Sequence, residues 1–339
     1  MIHALFKNPW FKHLAKLSLS IAIVIYLVLT VDREALLSAV GQADISGIVV
    51  ATALIFMGVV YIQALEIHES MKSGARIGVL NLCKINLTLM FYVLFLPAGL
   101  TFLVRWEKYR RVGYGGYDSA ALVVFHKLLQ LAIAGIVALA ALFVLQKSPS
   151  VSSVDLESVV SSVLAGAVLV IALLVSGVPV KVLSRLSSAV SGESGRALAW
   201  LNRAASFGLK ILHKAGDAFS EFGKLGLKKS LLVFFYALIQ HVLIVMSGWV
   251  VLSMIVGDVS FWAVTFVRSV VVILLMVPVS VGGLGVRELA FFSLFPLFGV
   301  PSESALIASL VLFLVQIIIS AIGGVVELQD FIKSRPSLG

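Results

Sequence analysis

Charge is what this sequence has least of. Only 13% of its 339 residues are Asp, Glu, Lys or Arg, against about 25% in an ordinary soluble domain, while 60% are hydrophobic and the mean hydropathy is +1.09. Water cannot be the solvent for most of such a surface. Cysteine is nearly missing: Cys83 stands alone, which excludes an intrachain disulfide and a metal site built on thiolates. No two of the six histidines lie four residues apart within an apolar run, so a helical histidine metal site is not expected, and no cofactor is implied. A Gly-x-x-x-x-Gly-Lys-Ser/Thr loop is also missing, so ATP-driven transport would need a partner.

What is there is apolar sequence in runs of about 20 residues, the length that crosses ~30 Å of hydrocarbon as a helix. Full crossings are predicted at 14–31, 47–65, 119–145, 159–180, 230–256 and 304–326. Two further runs are broken: 79–96 meets Pro97-Ala98-Gly99, and 261–277 meets Pro278-Val279-Ser280-Val281-Gly282-Gly283-Leu284-Gly285. The whole of 1–339 therefore reads as one integral membrane domain. Lys7, Lys12 and Lys16 before the first run resemble a signal peptide, but Asp32-Arg33-Glu34 follows directly, and an uncleaved first helix is the expectation.

The formal charge of +9 raises nucleic acid as a partner, but its placement points elsewhere. Nine basic residues against three acidic ones fall between Lys181 and Lys229, and loops of that kind stay in the cytoplasm. Within this loop Leu198, Leu201, Ala205, Gly208, Leu212, Ala215, Phe219 and Phe222 repeat at heptad spacing, which reads as an amphipathic helix on the anionic inner leaflet, with a coiled coil as the alternative. Basic residues flank both ends of the 79–103 stretch, so both ends belong inside, and a re-entrant hairpin satisfies that. By the same parity 261–300 enters and leaves from outside.

The expected fold is thus an all-α polytopic membrane protein of six full spans and two re-entrant broken hairpins. It is arranged as an inverted-topology repeat, with 1–145 as the first repeat, 159–327 as the second, and 181–229 as the basic loop. Pro97 to Arg105 aligns with Pro278 to Arg287, and Asp118-Ser119-Ala120-Ala121-Leu122 with Glu303-Ser304-Ala305-Leu306. Eight complete crossings are the alternative. Both termini are expected in the cytoplasm, on the inner face of the cell membrane.

Inverted repeats with broken helices are how many secondary transporters build a site near the bilayer midplane. The second break is the stronger candidate, because Gly282, Gly283 and Gly285 permit positive φ and a helix starting near Val286 would aim its N-terminus at the tip. Arg287 adds a donor fork that matches phosphate, and Glu288 is a second ionisable group inside a membrane segment. Adjacent helical residues diverge by about 100°, so the two are not expected to pair with each other. Interfacial anchoring of the loop is the bland alternative.

Arg105 holds the corresponding place in the first half. On the next span His126, Lys127 and Gln130 share one side, with Lys127 the stronger binding candidate and snorkelling to the surface its alternative. In the last span Gln316, Ser320, Gly323, Gly324 and Glu327 form a small and polar stripe, read mainly as helix packing, with Gln316 kept as a site candidate. Gln240 with His241, and Gln63 with Glu66, read the same way.

The run Pro-x-x-x-Gly-Gly-Leu-Gly-Val-Arg-Glu from Pro278, with Gly299 and the Ser304-Ala305 helix start, resembles the lysylphosphatidylglycerol synthase transmembrane-region family, whose members are flippase-like. The resemblance implies lipid translocation and transfers Pro278, Gly282, Gly283, Gly285, Arg287 and Glu288 as functional positions. The sequence departs from the family pattern before Arg105, where fewer glycines stand, and at His126-Lys127. No soluble transferase domain is expected, so synthase activity is not carried over. The leading expectation is a non-enzymatic flippase-like transporter of a polar or phosphate-bearing lipid head group, from a phospholipid or a polyprenyl-phosphate carrier. The alternatives are a membrane-embedded enzyme on a lipid phosphate, with Glu288 as base, and a scaffold for lipid-biosynthetic enzymes.

Overall fold

A computed structural model describes residues 44–71, 77–96, 98–146, 225–276 and 280–333. Their regular structure is entirely helical, with no strand among the described residues, as befits a backbone that must satisfy its own polar groups in lipid. The helices are α1 (Ile45–Ser70), α2 (Val79–Phe95), α3 (Ala98–Arg111), α4 (Gly116–Leu145), α5 (Leu227–Val256), α6 (Phe261–Leu274), α7 (Val286–Leu294) and α8 (Ser302–Lys333). A 3₁₀ turn, Phe295–Phe298, extends α7.

Helices α1, α4, α5 and α8 are long and apolar enough to cross a membrane, and they coincide with four of the six predicted crossings. The crossings predicted at 14–31 and 159–180 lie outside the described residues, as do most of the 181–229 loop and its amphipathic helix. The loop ends earlier than expected. Gly226, at φ +78°, is the N-cap of α5, so Leu227, Lys228 and Lys229 are already helical. A turn that only glycine adopts easily marks the boundary better than the last basic residue does.

Helix α1 opens on Asp44, whose carboxylate accepts from the Ser46 N–H at 3.3 Å and from its hydroxyl. Midway, Phe56–Ile62 is π-helical, and in this stretch the Val60 carbonyl accepts from Asn86 Nδ2 of α2 at 3.2 Å. The π turn stands immediately before Gln63 and Glu66, in keeping with the placing of such turns near functional groups.

Packing crosses between the two halves of the chain. Helix α2 lies mainly against α8, α6 lies mainly against α4, and α1 runs along α5. The α2–α8 contact is unusually close: a Cβ on Gly323 would stand 2.0 Å from the Leu87 carbonyl oxygen, and one on Gly324 would stand 2.9 Å from the Phe91 ring. Ser320 Oγ donates to the Met90 carbonyl at 2.7 Å. At the far end of the same contact Glu327 accepts from the Tyr92 hydroxyl at 2.9 Å and pairs with Lys108 of α3. Small residues let two backbones touch where lipid offers no hydrophobic drive.

The two broken runs are pairs of short helices, α2 with α3 and α6 with α7. Helices α2 and α6 have 17 and 14 residues, which makes them about 25 and 21 Å long. At the second break Gly282 faces the end of α2, with its Cβ position 3.5 and 3.6 Å from the carbonyl oxygens of Val93 and Leu94. The tips of the two hairpins are therefore in contact.

Candidate functional site

The second break folds as its glycines dictate. Gly282, Gly283 and Gly285 all take positive φ, at +64°, +78° and +85°, and Gly283 leaves room for Leu275, whose Cδ2 would lie 2.9 Å from an added Cβ. A Leu284 N–H to Val281 carbonyl bond closes the turn, and α7 begins at Val286 as expected. Pro278 lies outside the described residues.

Arg287 and Glu288 do pair with each other, contrary to the expectation from their 100° separation. Arg287 Nη2 donates to Glu288 Oε1 at 2.7 Å, and Nε reaches the same oxygen at 3.2 Å. Both residues sit in the first turn of α7, where no preceding turn of helix stands between two long side chains. Glu288 folds back so that Oε2 accepts from the Gly285 N–H at 2.7 Å, which carries its carboxylate into reach of the guanidinium. The helix N-terminus is thus capped from within rather than left open to a ligand.

Arg287 also extends to α8, donating to Ser309 Oγ at 3.1 Å and to Gln316 Oε1 at 3.3 Å, with its guanidinium 5.2 Å from the Phe313 ring centroid. Exposure of Arg287 is 5% and of Glu288 0%, so interfacial anchoring does not describe them. Gln316 therefore belongs to this cluster, while the rest of its stripe packs on α2. Each guanidinium nitrogen has an acceptor, which leaves one N–H on Nη1 and one on Nη2 uncommitted among the described residues.

The sequence reading passes over Arg268, the one charged residue of α6. It is 8% exposed, lies over Phe291 of α7 at 5.9 Å, and is close enough to Arg287 for the two charges to interact. Its Nη2 donates to the Ile244 carbonyl at 3.4 Å, while Nε has no hydrogen-bond partner and no carboxylate pairs with it among the described residues. Gly248 of α5 makes room for it: a Cβ there would stand 2.9 Å from Arg268 Cδ. A lone arginine in an apolar run was itself a signal of function.

The first half holds a second buried polar cluster. His126 Nδ1 lies 2.8 Å from Glu66 Oε1 and its Nε2 is 2.5 Å from Gln63 Nε2, tying α4 to α1. Arg105 of α3 acts electrostatically on His126, Lys127 and Tyr109. Lys127 itself is exposed and donates to Gln130 at 3.2 Å, so the favoured residue of the His126-Lys127 pair is the one outside the cluster. Spacing alone could not show this, because the two residues are adjacent and point apart. The Gln63–Glu66 pair, read as packing, is part of this cluster.

No group of three metal-ligating side chains occurs among the described residues. No curated protein matches the chain. A family model described as the lysylphosphatidylglycerol synthase TM region matches residues 14–324, nearly the whole length, and takes in every described helix except the last turns of α8. On that match, and with four helices long and apolar enough to span a bilayer, the chain is a multi-pass membrane protein of the lysylphosphatidylglycerol synthase transmembrane-region family.

Proposed function

We propose that this protein is a flippase-like transporter that moves a polar or phosphate-bearing lipid head group between leaflets, holding the anionic group where the two hairpin tips meet. The observation that carries this reading is the charge balance. Two buried guanidinium groups, Arg268 and Arg287, have Glu288 as their only carboxylate in contact among the described residues. Buried cations without counter-charge are costly, and a phosphate on the remaining donors of Arg287 and on Arg268 Nε would offset that cost with matched geometry.

In this reading the molecule is an inverted-topology repeat, 1–145 and 159–327, of six full spans and two re-entrant hairpins. Both termini and the 181–229 loop face the cytoplasm at the cell inner membrane. Helices α2 and α6 support it by falling short of ~30 Å of hydrocarbon. So does the exchange in which each half's first hairpin helix packs on the other half's last span. Phospholipid or a polyprenyl-phosphate carrier is the partner, and lipid-biosynthetic enzymes would meet the protein at the loop. The protein acts as a transporter rather than an enzyme: both oxygens of Glu288, the base that lipid-phosphate chemistry would call on, already accept hydrogen bonds.

The test is protection of labelled lipid head groups in proteoliposomes, across phospholipid and polyprenyl-phosphate substrates. Arg268→Gln is the sharper variant, because it leaves no carboxylate unpaired, whereas Arg287→Ala strands Glu288 at a cost of about 3–5 kcal/mol. The intact protein is expected to equilibrate the label, and folded Arg268→Gln to do so roughly ten- to a hundredfold more slowly, the loss of one charge-assisted contact of about 1.5–3 kcal/mol. Equal rates in protein-free vesicles and in vesicles holding folded intact protein would sink the reading.

A further inference from the structure

The cluster between α1, α3 and α4 is separate from the proposed lipid site and is built differently. Glu66 and His126 are 0% and 1% exposed, and they face each other at 2.8 Å. At the hairpin site the carboxylate is locked by an arginine, which holds its proton at any working pH. Here the partner is an imidazole, whose ordinary protonation range brackets neutrality. A carboxylate and an imidazole in contact can hold one proton between them or two, and the second proton changes the net charge inside the membrane domain.

The surroundings suit proton exchange better than a static ion pair. Glu66 Oε2, Gln63 Oε1 and Arg105 Nη1 are buried and have no hydrogen-bond partner among the described residues. Buried polar atoms are ordinarily satisfied, so three such atoms around one acid and one imidazole need a reason. Glu66 Oε2 is thus an open acceptor inside the cluster, and Arg105 Nη1 an open donor.

The other titratable or charged groups acting on the pair are Arg105 and Tyr109 of α3 and Lys127 of α4. Lys127 is exposed and lies outside the cluster, so its charge acts on the buried pair from beyond it. The remaining helices keep their charges elsewhere. Lys84 of α2 lines a cavity of about 350 Å³ with Lys108 and Glu327, Arg268 of α6 lies beside Arg287, and His241 of α5 is hydrogen-bonded to Ser269.

We propose that Glu66 and His126 form a proton-binding site whose occupancy sets the contact between α1 and α4. Proton uptake neutralises Glu66, which weakens its attraction to His126 and Arg105 and loosens the joint on which the first hairpin rests. The site would couple the translocation proposed above to proton movement, but its occupancy can be read without any lipid substrate.

Difference infrared spectroscopy of the purified protein in lipid, stepped between about pH 5 and 9, detects the carbonyl stretch of a newly protonated buried carboxyl. The intact protein is expected to gain such a band on acidification. Glu66→Gln, which keeps size and hydrogen bonding, should lack it, and His126→Gln should shift its midpoint by about one pH unit or more. His126→Gln also serves if Glu66→Gln fails to fold. No band in the intact protein, or a band unchanged in both variants, overturns the proposal and leaves the pair as a structural tie. In proteoliposomes a proton gradient should alter head-group translocation by the intact protein and not by Glu66→Gln. Infrared titration without any translocation would keep the proton site and reject the transporter reading.

Discussion

At the residue scale, glycines separate into those that hold the fold and those that merely occupy a helix. Gly323 stands where an added methyl group would overlap the Leu87 carbonyl, backbone that cannot yield without moving α2. Gly323→Ala should therefore cost about 1–3 kcal/mol or more and lower thermal stability in detergent. Gly135, in the middle of α4, has open space around its Cβ position, so Gly135→Ala should be neutral or stabilise by up to about 1 kcal/mol through helix propensity. Equal melting shifts for the two would contradict the packing described here. Residue identity reveals some of this and hides the rest. Positive φ at Gly282, Gly283 and Gly285 was readable because the three crowd one break. The Arg287–Glu288 pair was not, because a rule for mid-helix neighbours does not hold where a carboxylate turns back to cap its own helix. Arg268 was readable and passed over, while the fate of Gln63 and Glu66 depended on which helix lies opposite, which no single sequence states.

At the element scale, the proposed function rests on the hairpins, and their tips can be tested directly. Leu94 and Gly282 bring Cα and the Cβ position within 3.7 Å, so Leu94→Cys with Gly282→Cys, in a Cys83→Ser background, falls within disulfide reach. Oxidation should join the tips and, if they part during the transport cycle, reduce translocation to the rate of protein-free vesicles until reductant is added. Gly282→Cys is strained at φ +64°, so the test is read on a double variant that purifies folded, where failure to cross-link would mean that the tips do not meet in the membrane. Helix boundaries were legible to within a few residues at α4, α6 and α7, where an apolar run starts or stops against a polar turn. They were less legible at α1, which continues past its apolar run through Glu66 and His68 to Ser70. Those polar residues look like an exit from the membrane, but Glu66 is met by His126 of α4 and His68 by the Ile77 carbonyl just before α2.

At the scale of the whole molecule, a large buried core is shared between the halves, beside a smaller one that the first half packs between its own helices α1 to α4. The α2 face that carries Leu87, Met90 and Phe91 is covered by α8, and the α4 face is covered by α6. Residues 1–200 and 201–339, produced as two chains, should therefore associate in the membrane and co-purify, because the division falls between α4 and α5. Either chain alone should be degraded. Survival of a lone half as a protease-resistant unit would show that the exchange is dispensable.

The pairing of α2 with α8 also fixes a timetable. Phe91 meets Gly324, 233 positions later in the chain, and at about 5–20 residues per second the ribosome needs on the order of 10–50 s to deliver it. For that interval the nascent first hairpin has an uncovered face with no native partner. Helix α2 must therefore wait in the keeping of the insertion machinery. A premature stop before α8 would thus yield a protein whose defect begins not at its missing end but in its first hundred residues.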